Sequence, residues 1–114
     1  MLLSRNRLKE YALKKREVIT DDEGGKYASY TKPIIIKAII WPADGRLQAE
    51  MYGERLNYIQ NMLYQKGGPE LKEGDGICYK VSEEAEPDYK IISIKEYTEH
   101  YFVEIERINH DRSN

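Results

Sequence analysis

The sequence predicts a mainly β fold, a small antiparallel β-barrel or sandwich with a short helix and a long loop. Three observations predict it. Short runs of β-branched and aromatic residues recur between Gly, Pro and Asp turn signals, strands and helices do not alternate as a parallel sheet requires, and five or six short strands stand against one helical turn. At 114 residues the chain fits a single domain, 1–114, that can bury a modest core without disulfides or metal.

Taken in order, residues 1–10 read as either a mobile basic arm or a short helix. Tyr11, Leu13, Val18 and Ile19 suggest a strand over 11–19, cut off by the turn Asp21-Asp22-Glu23-Gly24-Gly25. Tyr27 to Thr31 is then the return strand of a hairpin. The clearest strand is Ile34 to Trp41, apolar on both faces around a single Lys37, which predicts a central strand covered on both sides. It ends at Pro42, with a turn at Asp44-Gly45. Arg46 to Tyr52 reads as a helix with Leu47 and Met51 four apart, stopped by Gly53.

Residues 54–65 fit two patterns. Leu56, Ile59 and Leu63 would line one side of a helix, whereas Tyr58, Met62 and Tyr64 suit an extended strand or long loop, the reading favoured here because Gly53 interrupts the helix. Gly67-Gly68-Pro69 marks a break, and Lys72-Glu73-Gly74-Asp75-Gly76 a turn into a strand Ile77 to Val81. Ser82 to Asp88 is read as an exposed acidic loop. Tyr89 to Tyr97 and Tyr101 to Ile108 form a hairpin, the second strand alternating Val103, Glu104, Ile105, Glu106, with a frayed tail over 109–114. There is no internal repeat and no low-complexity segment.

Composition excludes several classes of function. No apolar run approaches the roughly 20 residues needed to cross a bilayer, and Met1-Leu2-Leu3 is broken at once by Ser4, Arg5, Asn6 and Arg7, so neither a membrane span nor a secretory signal is expected. The host cytoplasm is the expected compartment. Cys78 is the single cysteine and reads as a small apolar strand residue. Charge is uneven: residues 1–17 carry six Lys/Arg against two Glu, so the arm is basic and the remainder acidic.

No catalytic or cofactor-binding pattern emerges. The histidines, His100 in a hairpin loop and His110 in the tail, are not placed to serve a nucleophile. Three His and Cys residues in total give no zinc spacing, the acidic runs at 21–23 and 83–86 lack calcium-loop alternation, and Gly74-Asp75-Gly76 runs into a strand rather than a helix. No enzyme activity, cofactor, metal or small-molecule substrate is expected. The unusual feature is ten tyrosines against one phenylalanine, a residue choice that offers contact area with a polar handle. A small OB-like or SH3-like barrel with exposed aromatics could instead stack single-stranded nucleic acid. Only the basic residues Arg5, Arg7, Lys9, Lys14, Lys15 and Arg16 would supply its phosphate contacts.

The stretch Ala38-Ile39-Ile40-Trp41-Pro42-Ala43-Asp44-Gly45-Arg46-Leu47-Gln48-Ala49-Glu50-Met51-Tyr52-Gly53-Glu54-Arg55-Leu56 resembles prophage-encoded proteins of Gram-positive hosts found among virion assembly genes. So do the basic first strand Tyr11 to Val18, the turn Asp22 to Gly25, the strand Ile34 to Pro42 and the late segment Pro87 to Ile92. The set is similar to the head-completion or stopper proteins of long-tailed phages, the head-tail connector family. The resemblance implies a non-catalytic virion protein that forms a ring with copies of itself between the portal or adaptor and the tail. Packaged double-stranded DNA would lie nearby in the channel. The segment from Arg46 to Leu71 is longer here than in the better-known stoppers.

Within that segment, residues 46–65 mix tyrosines with charge at a length beyond the usual loop, which predicts contact rather than core. The candidate assembly interface is Arg46, Gln48, Glu50, Tyr52, Glu54, Arg55, Tyr58 and Tyr64. It is expected to be mobile in a lone subunit and ordered on assembly; the competing reading is an amphipathic helix packed on the barrel.

Overall fold

A computed structural model describes residues 8–108. The elements in chain order are β1 (Lys9–Lys14), β2 (Arg16–Thr20), β3 (Lys26–Tyr30), β4 (Ile34–Pro42), α1 (Arg46–Tyr52), a 3-10 turn (Gly53–Tyr58), β5 (Ile59–Gln65), β6 (Gly76–Cys78), β7 (Tyr89–Glu96) and β8 (His100–Arg107). Six strands close into an antiparallel barrel in the order β1-β4-β5-β8-β7-β6, and β2 pairs with β3 in a separate two-stranded sheet. The barrel alternative is therefore the observed one. Closure runs through β1, whose Ala12 faces Ile35 of β4 on one side and Cys78 of β6 on the other.

Side-chain alternation fills the interior. Leu13, Ile36, Ala38, Met62, Ile77, Ile91, Val103 and Ile105 are buried in one cluster with Tyr64 and Tyr89. A barrel of this size has room for side chains and little else. Each large aliphatic residue fully removed from water contributes roughly 1.5–3 kcal/mol before entropy is counted.

Five details differ from the sequence reading. Lys9 and Glu10 belong to β1 rather than to an arm; residues 1–7 and the tail beyond 108 lie outside the described range. The strand read over 11–19 is two strands, split at Lys15. There the backbone leaves the barrel: Thr31 N–H donates to the Lys15 carbonyl at 2.9 Å and Lys15 N–H to Thr31 Oγ1 at 3.1 Å, pinching the base of the β2–β3 hairpin. Strand β4 is paired on both edges, but its outer face is not covered, since Ile34 and Ile35 are exposed. Strand β6 stops at Cys78 and does not reach Val81, because the Asp88 carboxylate takes the Tyr79 and Lys80 amides at 2.8 and 2.9 Å. The 82–88 loop folds back on the barrel: Pro87 is buried, and the Lys14 ammonium donates to the Ala85 carbonyl.

Two turns are fixed by carboxylates. Asp21 Oδ1 accepts from Gly25 and Glu23 amides at 2.7 and 3.0 Å, with Gly24 at φ 83°, which closes the hairpin tip as an Asx turn. Buried Asp75 accepts from the Arg16 and Lys72 amides at 3.1 and 2.9 Å and pairs with the Lys15 ammonium, tying the 72–76 turn to the point where β1 gives way to β2.

Candidate functional site

The most structured polar assembly outside the core lies on the outer face of β5 and β8. Strands place Asn61 opposite Glu104, both pointing out of the barrel because their neighbours Met62 and Val103 point in. On a bare barrel these residues would be solvated. Instead α1 and the 3-10 turn cross over them as a strap, and Glu104 is only 2% exposed and Glu106 4%. The alternation read at Val103 to Glu106 is correct in direction; the outward positions are covered by chain that lies 50 residues earlier in sequence, roughly.

The strap is held by hydrogen bonds. Gln48 Nε2 donates to Asn61 Oδ1 at 2.8 Å and to Glu104 Oε2 at 2.7 Å, and the Tyr52 hydroxyl donates to Glu104 Oε1 at 2.8 Å. One turn on, Arg55 grips Glu106 with two parallel bonds, Nε to Oε2 at 3.0 Å and Nη2 to Oε1 at 2.8 Å. The Arg55 guanidinium also sits 5.4 Å from the Tyr52 ring centroid, and Arg107 lies 5.2 Å from that of Tyr58. Burial, and then the hydrogen bond into the Glu104 carboxylate, push the Tyr52 hydroxyl up to about 12 from its ordinary 10.0.

This arrangement turns the helix inside out. The polar side, Gln48 and Tyr52, faces the barrel, whereas Leu47 and Met51 are 69% and 54% exposed. No residue of α1 is fully buried. The amphipathic packing that the sequence suggested as a competing reading is reversed in sense, and the expected extended path for 54–65 holds only from Ile59 onward.

The eight candidate interface residues therefore divide. Arg46, Glu50 and Glu54 are on the surface, with Arg46 and Glu50 paired at 3.4 Å along the helix. Gln48, Tyr52 and Arg55 face the barrel, and half-buried Tyr58 lies beside Arg107. Tyr64 is not an interface residue: it is inside the barrel, stacked on Tyr101, its hydroxyl donating to the Pro69 carbonyl at 2.7 Å. The strap is seated on the barrel by bonds within the single chain. Sequence reasoning missed Asn61, Glu104 and Glu106 beneath it and the exposed Leu47 and Met51 above it. The i,i+4 spacing of Leu47 and Met51 was the available signal.

His100 stacks on Tyr97 at 5.2 Å in the β7–β8 turn, and burial pushes the Cys78 thiol up. Among the described residues no group of three or more His, Cys, Asp and Glu side chains converges as metal ligands, and no helix is long and apolar enough to cross a membrane. Of the basic residues proposed to meet nucleic acid, Arg5 and Arg7 lie outside the described range, Lys14 is engaged by Ala85 and Lys15 by Asp75. In comparison with known proteins, no family model matches the chain, and neither a curated protein nor a solved structure matches it.

Proposed function

We propose that the chain is a structural virion protein of a long-tailed phage, a head-tail connector or stopper subunit that forms a ring between the portal or adaptor and the tail and helps retain packaged DNA. The observation that carries this reading is the location of its exposed apolar residues. Val18 and Tyr27 lie on the projecting hairpin, Leu47 and Met51 on α1, and Ile34, Ile35 and Val81 on the barrel flank. Apolar surface distributed over appendages and flank, around a filled barrel, suits a subunit that meets several neighbours at once. The resemblance of residues 38–56 to virion assembly proteins points the same way.

The nucleic-acid reading ranks second, because Lys14 and Lys15 already make intramolecular bonds and the body of the chain is acidic. Two measurements test the first reading together. Mass spectrometry of particles purified from the host that carries the gene should find the chain at ring-like stoichiometry, and a nonsense allele should yield filled heads that lose DNA and carry no tail. Particles that lack the protein, with normal titre from the nonsense allele, would refute it.

A further inference from the structure

The six strands of the barrel share one rim, where β1, β5 and β7 begin and β4, β6 and β8 end. Side chains that point inward at this rim should close the core. On β1 the inward side runs Leu13, Tyr11, Lys9, because Leu13 is fully buried and Lys9 lies opposite the equally buried Ala38. That stripe therefore ends in an exposed ammonium group. On β4 it ends in Ile40, and past β6 it ends in Tyr79, two residues beyond buried Ile77.

A cavity of about 240 Å³ opens at the rim, lined by Lys9, Tyr11, Ile39, Ile40, Tyr79 and Lys80. The Tyr11 and Tyr79 ring centroids are 5.8 Å apart, and Tyr79 meets Tyr89 edge-on at 5.5 Å. The Lys80 ammonium stands 4.6 Å from the centre of the Tyr79 ring. In a chain with more acidic than basic residues, no carboxylate lines this cavity. Glu10 is on the other face of β1, opposite Lys37, and the Asp88 oxygens are taken by the Tyr79 and Lys80 amides. Among the described residues neither Lys9 nor Lys80 has a carboxylate partner. Beyond Tyr79, the Tyr89 hydroxyl is bonded by the Gln60 amide, whose Oε1 is buried and unpartnered.

We propose that this mouth binds a nucleotide unit, a phosphate carried by a flat heteroaromatic base, with the phosphate between the Lys9 and Lys80 ammonium groups and the base against the tyrosine pair. Barrel mouths that combine an apolar wall with a few converging polar groups are common ligand sites. The two unpaired cations call for an anion, and the tyrosine faces call for a ring. Burial, and then the neighbouring Tyr79, push the Tyr11 hydroxyl up, so it stays a neutral donor for a phosphate oxygen. The volume falls below the roughly 300–1,000 Å³ of sites for drug-sized ligands, which leaves room for one unit. A free mononucleotide and one residue of a single strand present the same phosphate and base. The site uses none of the exposed apolar residues that carry the virion reading, and it stands or falls separately from that reading.

The test is a titration of the full chain followed by NMR, with thymidine monophosphate, deoxyribose phosphate and a short oligothymidylate as probes. Thymidine monophosphate should shift the amides of Lys9, Tyr11, Ile40, Tyr79 and Lys80 ahead of all others, and should bind about tenfold or more tighter than the base-free phosphate. Lys9→Ala with Lys80→Ala should weaken it by about tenfold or more at an unchanged thermal midpoint, whereas Lys95→Ala, which removes an exposed cation on β7, should leave it unaltered. Oligothymidylate that binds at the same amides about tenfold or more tighter than the monophosphate assigns a strand as the source; equal or weaker binding assigns the free nucleotide. Three results each overturn the site: shifts absent or spread over the whole surface at millimolar probe, deoxyribose phosphate binding as well as the nucleotide, or a lysine double variant that binds like the wild type.

Discussion

Removing one hydroxyl from the strap should cost a measurable share of the fold's stability. Tyr52→Phe keeps the ring, and with it the contact to Arg55, but takes one of the two donors seen on Glu104, a carboxylate that is 2% exposed. Hydrogen bonds to a charged group contribute about 1.5–3 kcal/mol, and half-buried Tyr52 lets water partly replace the lost donor, which places the expected loss near the lower end, about 1.5 kcal/mol. For a domain of this size that is a fall in thermal midpoint of roughly 6 °C or more. Urea unfolding followed by circular dichroism gives the free energy, and hydrogen exchange of the amides over 46–58 locates it, because the strap should open before the barrel. In a Glu104→Ala background the acceptor is gone, so the same substitution should cost less than about 0.5 kcal/mol and the cycle should return a coupling near 1 kcal/mol. If Tyr52→Phe in the wild-type chain costs less than about 0.5 kcal/mol and leaves strap exchange unchanged, the buried carboxylate is not what moors α1.

The remaining predictions concern pH, packing and the hairpin. The Tyr52 hydroxyl, raised from 10.0 to about 12, is favoured in its neutral form by the fold, so its stabilising contribution is intact below pH 10 and lost as pH rises from 10 to about 12. Alkaline titration monitored by tyrosinate absorbance and circular dichroism should show that loss diminished in Tyr52→Phe. A Cβ on Gly76 would lie 2.3 Å from Pro87 Cγ, so Gly76→Ala should lower stability by about 1–3 kcal/mol in a thermal melt. Asp75→Ala, which strips the Arg16 and Lys72 amides of their acceptor and leaves the Lys15 ammonium with the Glu70 carbonyl, should cost about 2–3 kcal/mol by urea unfolding. Strands β2 and β3 pair only with each other and Arg16 faces Tyr30, so replacing Glu17 to Ser29 with Asn-Gly should leave a folded barrel whose midpoint moves by less than about 5 °C.

The barrel was legible because its signals are local. Alternation along β8, the Asp-Asp-Glu-Gly-Gly turn after β2, the Gly53 stop after α1 and the break at Gly67-Gly68-Pro69 each depend on a few adjacent residues. Errors came where a distant group took over a backbone or covered a face. Asp88 claims the Tyr79 and Lys80 amides and shortens β6; Lys15 and Thr31 lock together and split the first strand. Neither event has a signature in the affected strand itself, since hydrogen-bond donors are satisfied by whatever acceptor the tertiary fold brings near.

The candidate site was harder to read for a related reason. An apolar pair at i,i+4 is ordinarily taken as the buried side of a helix, because burial of that pair is the strongest local contribution available. Here the barrel face under α1 is not apolar: Asn61, Glu104 and Glu106 await donors, and a helix laid across them gains more by turning Gln48, Tyr52 and the following Arg55 inward. Satisfying buried carboxylates thus decides the rotation of the helix, and Leu47 and Met51 are left outside as the consequence. The polarity of the receiving surface must be known before the polarity of the helix can be interpreted. In this chain that surface is supplied by β5 and β8, the second of which is made long after α1 in sequence. A helix fixed this way is moored by a few directed bonds rather than by a broad apolar contact, so single substitutions such as Tyr52→Phe or Gln48→Ala should loosen the strap without disturbing the packing of Met62, Val103 and Ile105 beneath it.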